Sequence, residues 1–584
     1  MKFVLKGKPI IWRDAPSFGL PQEVKFSPHV ITTHAYHWDK VDLQAVFGYN
    51  KPMPQSAAAR EASPLVYFLH MFPKEFASSV IENTRSATGN QTPLLTMGTY
   101  FRFVGAILAS ALAGFKDIVN EAFAPSNDSL FAPRLRLNKF LSLTSFKRIK
   151  QSFSFVPPQA EGTWAGMRIL AAAFTAHTTN VFTPSSIAVV DETMAGWEGH
   201  VNRSKHPKAM PSAYYIPSKP TQRGMEIRNV ACGTSGMMYS VEIMEDAAGM
   251  AHLKYVGEMK ASAAQVLRLM DNAHMLGKKA LVVGDAAFGS LETAYELLKR
   301  DTYFVGAVKQ GSLCYPMAHL KGKVIGAHAW LHMWHISDAG PICATLYGHV
   351  GNDTYISTGI MPDEVKPSPV RNRARQEVRC PGPVAAFYNH HNAVDVFNQY
   401  LEMMNFDGYR THEGLMRAYM SLLGIPLVNS FCSYINDQFM HSVPRSRLRF
   451  QTARAFAQEI VLALLTNTLG GAPPPRGMHD ADSDDDAKEE DEKEEDVAYE
   501  CDCDIRALSK VFDKPLPRAV CHECKERCYT VCETCSPDPL NAATAVFLCG
   551  LETDDNRQCA KKHILAHTRP AAGANDGAAA RAMG

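Results

Sequence analysis

The sequence predicts an α/β fold for the middle of the chain, flanked by helical regions and followed by a separate cysteine-rich module. Three observations carry this reading. Between Ile187 and Val308, short apolar runs alternate with stretches of helical period, the pattern of strands and helices in one layered fold. On both sides, over 64–185 and 384–469, the helical period dominates. Nine of the 14 cysteines crowd into Cys501–Cys559, beyond an acidic stretch. A chain of 584 residues exceeds what one hydrophobic core usually supports, so several domains are expected.

Residues 1–63 lack steady periodicity and are rich in Pro, His and aromatics, which predicts an irregular N-terminal region. From Pro64 the pattern turns helical, with Val66, Leu69, Phe72, Phe76 and Val80 on one face. Tyr100–Phe115 reads as a second helix. Its apolar part, Phe103–Phe115, is shorter than the ~20 residues that span a bilayer, so it reads as a buried helix. Phe140–Lys150 is a basic helix with a Ser or Thr cap. The start, Met1–Leu5, lacks the long apolar core of a signal peptide.

Residues 186–311 form the first part of the α/β core. A strand over Ile187–Val190 ends at Asp191. Gly224–Asn229 and Met237–Ile243 make a hairpin around the Gly-rich turn Cys232–Gly236. A helix over Ala261–Leu276 leads to the strand Ala280–Gly284, which ends at Asp285. A helix over Leu291–Lys299 and a strand over Thr302–Val308 follow. Residues 312–383 carry short β-like runs, Ile342–Leu346 and Tyr355–Ile360, and read as a β-rich insertion. Helices resume over 384–469, in Tyr388–Met404, Leu415–Tyr434 and Ala453–Leu469. Residues 470–515 form an acidic flexible linker, 516–570 the cysteine-rich module, and 571–584 a disordered tail.

The formal net charge of +1 conceals a strong asymmetry. Asp480–Glu500 holds 13 acidic residues against two lysines. The rest of the chain is therefore basic, which suits a polyanionic partner. Cysteines are sparse over the first 500 residues, which favours a reducing compartment with metal-bound thiolates over a disulfide framework.

Asp191, Asp285 and Asp395 form the sharpest functional signal. A carboxylate at the end of a buried strand reaches the sheet rim, where ligands can approach. Two strand ends and a helix can gather three carboxylates around hard divalent cations, the arrangement needed for two-metal phosphoryl transfer. Each aspartate alone also has a plain reading: a turn initiator after Asp191 or Asp285, or a solvent-facing position for Asp395. His391, Asp395 and Asn398 share one helical face by their spacing of four and three.

The segments around these aspartates resemble the piggyBac transposase family. Asp191-Glu192-Thr193-Met194-Ala195-Gly196-Trp197-Glu198-Gly199, followed by Lys219-Pro220-Thr221-Gln222-Arg223-Gly224-Met225, is similar to that family's first segment. Asp285-Ala286-Ala287-Phe288-Gly289-Ser290 looks like its second. Tyr388-Asn389-His390-His391-Asn392-Ala393-Val394-Asp395 with Gln399 looks like its third. Order and separations also agree, and the resemblance covers roughly residues 64–435. It implies an RNase H-like catalytic core with an insertion and an N-terminal helical region for dimerisation and DNA binding. It also implies Asp191, Asp285 and Asp395 as catalytic ligands of two Mg²⁺ ions, double-stranded DNA as substrate, joining at TTAA sites, a homodimer without a membrane role, and a nuclear location. The sequence departs from the family at Asn398, where an aspartate is usual. It departs also at His391-Asn392-Ala393 (Met-Gly-Gly), Ala286 (Asn) and His200 (Arg).

Cys521-x2-Cys524-x7-Cys532-x2-Cys535 has the paired-thiolate spacing of tetrahedral zinc sites. Cys549, Cys559, His563 and His567 bring the candidate ligands to eight, enough for two Zn²⁺, with Cys528 as a further candidate. The two Cys pairs also match the cysteine-rich C-terminal domain of piggyBac transposases, which binds DNA. A RING-type ligase would need a Cys-x-His block that is missing.

Basic clusters complete the reading. Arg203, Lys205 and Lys208, and Arg371, Arg373 and Arg375, are candidate DNA contacts; Arg134–Lys150 and Arg445–Arg449 add two more. Each can equally be a solvated face; together they would contribute salt-dependent affinity without sequence readout. A non-catalytic DNA-binding derivative and a zinc-module adaptor are the rival classes.

Overall fold

The computed structural model describes Val4–Leu5, residues 8–14, most of 32–471 and three short strands beyond residue 504. Within 32–471, the main stretches left aside are 88–94, 124–135, 156–163, 202–205 and 368–377. The chain divides into a unit of Met1–Ala481 and a unit of Asp482–Gly584.

The longer helices before the sheet are α1 (Pro64–Met71), α2 (Lys74–Ala87), α3 (Met97–Ala113), α4 (Leu143–Ser152) and α5 (Ala165–Val181), preceded by the short helices Leu43–Phe47 and Ala57–Glu61. The apolar face expected to run from Val66 to Val80 is split between α1 and α2. Pro73 has no N–H to continue a helix and holds Phe72 in an extended conformation. Helix α3 starts where the Thr96 hydroxyl accepts the Thr99 N–H, and stops at Gly114 in the left-handed conformation. Ser142 caps α4 in the same way, accepting from Ser145 N–H.

Ten strands make the central sheet: β1 (Trp12–Arg13), β2 (Ile187–Gly196), β3 (Tyr214–Tyr215), β4 (Arg223–Cys232), β5 (Met238–Ile243), β6 (Leu281–Gly284), β7 (Tyr303–Ala307), β8 (Trp330–Ser337), β9 (Gly340–Gly348) and β10 (Asn352–Ser357). Their order is β1-β8-β9-β10-β7-β6-β2-β4-β3, with β5 also paired to β4. In this sheet β6 runs parallel to both β2 and β7, and the remaining pairings are antiparallel. It is a mixed sheet within a mixed α/β fold. The hairpin expected around Cys232–Gly236 is β4–β5.

The remaining longer helices are α6 (Ala261–Asn272), α7 (Leu291–Leu298), α8 (Gly382–His390), α9 (Ala393–Met403), α10 (Gly414–Met440) and α11 (Ala453–Leu465). Helix α7 supplies the crossover that parallel β6 and β7 require. The stretch 312–383 is β-rich but does not stand apart in space. Its strand β10 pairs with β7, Val305 opposite Ser357, so β8–β10 prolong the core sheet. The single helix expected over Tyr388–Met404 is instead two, with α8 ending at His390 and α9 starting at Ala393.

Helix α10 is apolar all round, as a helix enclosed by protein should be. It is long and apolar enough to cross a membrane, yet 89% of its apolar window is buried inside the protein. It packs on α1 and α5, while α11 packs on α3, so the N-terminal and C-terminal helices form one body. The Asn429 side chain of α10 bonds both the N–H and the C=O of Met238, satisfying the backbone where β5 begins. Arg60, in the short helix Ala57–Glu61 that precedes α1, is fastened to the same helix. Arg60 donates to both carboxylate oxygens of buried Asp437, at 2.9 and 2.6 Å, and the Tyr67 hydroxyl donates to it at 2.7 Å.

In the second unit, Ile505–Ala507, Thr530–Cys532 and Val546–Leu548 form a three-stranded antiparallel sheet with Thr530–Cys532 in the middle.

Candidate active site

Strand β2 pairs in parallel with β6 from Ile187↔Leu281 to Val190↔Gly284, and the next residues are Asp191 and Asp285. Asp191 was expected to end its strand. Instead β2 continues to Gly196, paired with β4 as far as Gly196↔Gly224, so Asp191 marks the point where β6 peels away. Asp285 enters a tight turn, its Oδ1 accepting the Ala287 N–H at 2.8 Å and its carbonyl the Gly289 N–H at 2.9 Å. Gly289 is required there: a Cβ would lie 1.6 Å from the Ala307 carbonyl oxygen. Backbone geometry alone thus brings the two carboxylates together at the rim.

The ligand oxygens of Asp191, Glu192 and Asp285 all lie within 4.8 Å of one another. Asp191 and Glu192 are buried, at 6% and 7% exposure. Two cations face them. The Lys219 ammonium is 3.0 Å from Glu192 Oε1 and 3.7 Å from Asp191 Oδ1. Arg228, the cross-strand neighbour of Glu192, donates to Glu192 Oε2 at 2.9 Å and also contacts Glu226. The Arg228 guanidinium also lies 4.9 Å above the Phe288 ring, in the turn that carries Asp285.

These neighbours split the carboxylates. Burial pushes the Asp191 carboxyl up to about 8, against the pull of Lys219, and the charge on Glu192 adds to the rise. Burial also raises Asp285, opposed by its bond from Ala287 N–H. Burial would raise Glu192 too, but Arg228 and then Lys219 outweigh it and hold Glu192 below its ordinary value. Lys219 loses solvation, and its attraction to Asp191 and Glu192 still raises it.

Helix α9 packs on β2 and β4 and brings Asp395 to a cleft of about 580 Å³ lined also by Glu192, Lys219 and Asn398, so that Glu192 belongs both to the carboxylate group and to the cleft. Asp395 is exposed in the first turn of α9. It lies outside the tight group of Asp191, Glu192 and Asp285. Asn398, one turn on, is used otherwise. It accepts the Thr193 hydroxyl at 2.7 Å and donates to the Glu192 carbonyl at 3.2 Å, and Asn229 donates to Thr193 at 2.8 Å. His391 does not share the α9 face with Asp395 and Asn398. It closes α8, bonded to the Phe387 carbonyl at 3.1 Å and stacked on the Phe387 ring.

The donor set suits a hard divalent cation: at least three carboxylates at the rim, all oxygen donors. The buried Oδ1 of Asn229, directly across the strand from Asp191, finds no hydrogen-bond partner among the described residues, leaving an oxygen that water on a bound ion would satisfy. Glu192, Lys219 and Arg228 are the additions that sequence reasoning did not place in the site. The adjacent Asp191-Glu192 pair was visible, but the β2–β4 register that sets Arg228 against Glu192 was not.

The other candidates stand as follows. Lys208 is exposed and 3.5 Å from Glu413; Arg203, Lys205, Arg371, Arg373 and Arg375 lie outside the described residues. Lys147, Arg148, Arg445, Arg447 and Arg449 are exposed on the first unit. Among the zinc candidates, Cys532 lies in the central strand of the second unit. Cys521, Cys524, Cys528, Cys535, Cys549, Cys559, His563 and His567 fall outside the described residues.

The fold is similar to that in the cryo-EM structure of the piggyBac transposase synaptic complex with hairpin DNA. The TM-score is 0.54 at 16% sequence identity, over 69% of this chain and 80% of that one. No curated protein matches the sequence. The family model described as Transposase IS4 matches residues 63–431, a span that holds all three aspartates and the whole of the sheet from β2 to β10. The chain belongs to this family of DDE transposases.

Proposed function

We propose that the chain is a piggyBac-type transposase that cuts and rejoins DNA strands at TTAA sites by two-metal phosphoryl transfer. The observation that carries the reading is the parallel β2–β6 register, which sets Asp191 beside Asp285 and against Glu192, a residue that also lines the cleft reached by Asp395. The five strands β5-β4-β2-β6-β7 follow the order of an RNase H-like core, with the carboxylates at the rim of its central parallel pair, and this supports the assignment. Asp191, Asp285 and Asp395 would hold the Mg²⁺ ions, with Glu192 as a further donor. Bound there, Mg²⁺ would make water or a 3′-hydroxyl a better nucleophile and stabilise the leaving oxygen.

The chain's own groups have definable parts in this. Asp191 must give up its proton to bind a cation. Glu192 stays charged because Arg228 pairs with it. The backbone turn after β6 fixes Asp285, while Asp395, on a separate helix, closes the site from the other side. The basic side chains would hold double-stranded DNA through its phosphates, and the homodimer expected of the family would place two such sites on paired ends. Nuclear action follows from that substrate.

The test is Mg²⁺-dependent nicking and joining of DNA bearing the element's own ends, with Asp285→Ala as the inactive control. One observation favours a second reading, a DNA-binding protein that has lost efficient cleavage. Asn398 spends both ends of its amide on strand β2, so this position adds no carboxylate beside Asp395. That reading predicts salt-sensitive DNA binding without cleavage, unchanged in Asp285→Ala.

We propose two structural Zn²⁺ ions for the cysteine-rich segment, on the spacing of Cys521, Cys524, Cys532 and Cys535 and the four later ligands. Elemental analysis of the purified chain should give two zinc ions, fewer after Cys521→Ser with Cys524→Ser.

A further inference from the structure

We infer that Lys219 is a resident counter-cation of the carboxylate site, which a divalent ion must displace, so that this one side chain sets the metal affinity. The inference rests on the metal-dependent reading above and adds a regulating residue to it.

Lys219 lies on a loop between β3 and β4. The Ile216 N–H bonds the Gln222 carbonyl at 2.8 Å, the Lys219 N–H bonds the Ile216 carbonyl at 3.2 Å, and the Gln222 side chain donates to the Pro217 carbonyl at 3.2 Å. The backbone is thereby fixed over the site, whereas the ammonium rides on a flexible four-carbon stem. It touches Asp191 and Glu192 together. A divalent ion bound to the same oxygens sits at roughly 2.0–2.6 Å from them. The ammonium and the ion cannot share that space, and at about 4 Å their repulsion is large in a partly buried site.

The stem is free to turn aside. The Lys219 side chain is 23% exposed and lines the cleft that also holds exposed Asp395, whose charge already attracts it. Arg228 cannot take the same part. Its guanidinium is less exposed, at 16%, is bonded to Glu192 and Glu226, and lies against Phe288. Arg228 is therefore the fixed cation and Lys219 the exchangeable one. Without metal, Lys219 offsets the negative charge of the cluster at Asp191 and Glu192; with metal, it is released toward the mouth of the cleft.

The experiment is Mn²⁺ binding to the full chain, followed by calorimetry and by the electron paramagnetic resonance of free Mn²⁺. Lys219→Met keeps the aliphatic stem and removes the charge, and it should bind Mn²⁺ about tenfold more tightly than the unaltered chain. Lys219→Arg, which keeps the charge, should stay near the unaltered affinity. Equal or weaker binding by Lys219→Met overturns the inference. Absence of Asp285-dependent Mn²⁺ binding in the unaltered chain and in Lys219→Met alike overturns the metal-dependent reading itself, and this inference with it. A second measurement needs no variant: the rate of amine acylation at Lys219, read by mass spectrometry, should rise when Mn²⁺ is added. An unchanged or slower rate contradicts displacement.

Discussion

Gly284 lies opposite Val190 in the parallel register of β6 and β2, so Asp285 and Asp191 follow as neighbours at the point where the two strands part. The pairing converts two carboxylates 94 positions apart in sequence into one site without a long-range side-chain contact. Apolar residues hold it in place: Ile187, Val189, Val190, Leu281, Val282 and Val283 are all buried. Their packing supplies the free energy that makes a buried acidic cluster tolerable.

Removing one of these charges should therefore help the metal-free fold while abolishing metal binding. Asp191→Asn relieves a buried carboxylate that burial and Glu192 already disfavour. Without metal at pH 8 its stability to urea should equal or exceed that of the unaltered chain, by on the order of 1 kcal/mol. The increase in Tm that Mg²⁺ or Mn²⁺ gives the unaltered chain should vanish. A loss of several kcal/mol without metal would mean that Asp191 is chiefly a structural acceptor.

The same group predicts a pH dependence. The folded chain raises the Asp191 pKa above its unfolded value, so this group's contribution to stability is fully present below the unfolded value and is lost as pH rises through about 8. Metal binding needs the charged carboxylate and must expel the proton. The Mn²⁺-induced rise in Tm should thus be small at pH 6 and grow toward pH 8. Over that window apparent affinity should climb by up to about tenfold per pH unit, the signature of one proton displaced. A flat profile between pH 6 and 8 would contradict the shifted carboxyl.

Much of this site was legible in the sequence, for a physical reason. The runs Ile187–Val190 and Ala280–Gly284 are short and apolar on both faces, which marks buried strands, and a carboxylate at the end of such a run is conspicuous. What escaped depended on register and on breaks. Glu192 was visible only as the neighbour of Asp191, because nothing local shows that β2 continues to Gly196 or that Arg228 stands opposite. At Asn398 the sequence shows only a departure from an aspartate, and the Thr193 and Glu192 contacts reveal a strand-to-helix tie. The break at His391-Asn392 was hidden because both halves of Tyr388–Met404 carry helix-forming residues. The continuity of β8–β10 with the core depends on one ladder, Val305–Ala307 of β7 against Tyr355–Ser357 of β10, that periodicity cannot encode.

Asn398 offers a direct comparison with the aspartate usual in piggyBac transposases. In Asn398→Asp the Thr193 hydroxyl keeps its acceptor, but the bond to the Glu192 carbonyl is replaced by a carboxylate facing a carbonyl oxygen. Without metal the substitution should cost about 1–3 kcal/mol, seen as a lower urea midpoint. With Mn²⁺ part of that loss should return, because the added charge favours a cation in the cleft. No loss without metal would show that the tie between α9 and β2 is dispensable.

The last prediction concerns the clasp that holds the N-terminal region on α10. Arg60 and Asp437 are both buried, at 4% and 1% exposure, and they are bidentate, with the Tyr67 hydroxyl donating to the same carboxylate. Arg60 also bonds the carbonyls of Pro54 and Gln55 and lies 4.5 Å above the Trp38 ring, so one guanidinium gathers three separate parts of the first 63 residues. Asp437→Ala strands a buried cation and should cost about 3–5 kcal/mol. Arg60→Met strands the carboxylate and should cost a similar amount. The double substitution should cost clearly less than the two losses added, because neither charge is then left unpaired. The measurement is urea unfolding of the four proteins, followed by tryptophan fluorescence, which senses Trp38 beside the clasp. Simple additivity would mean that Arg60 and Asp437 act independently, and that other contacts, such as Gln438 with the Ala57 carbonyl and Tyr434 with Glu61, hold this segment to α10.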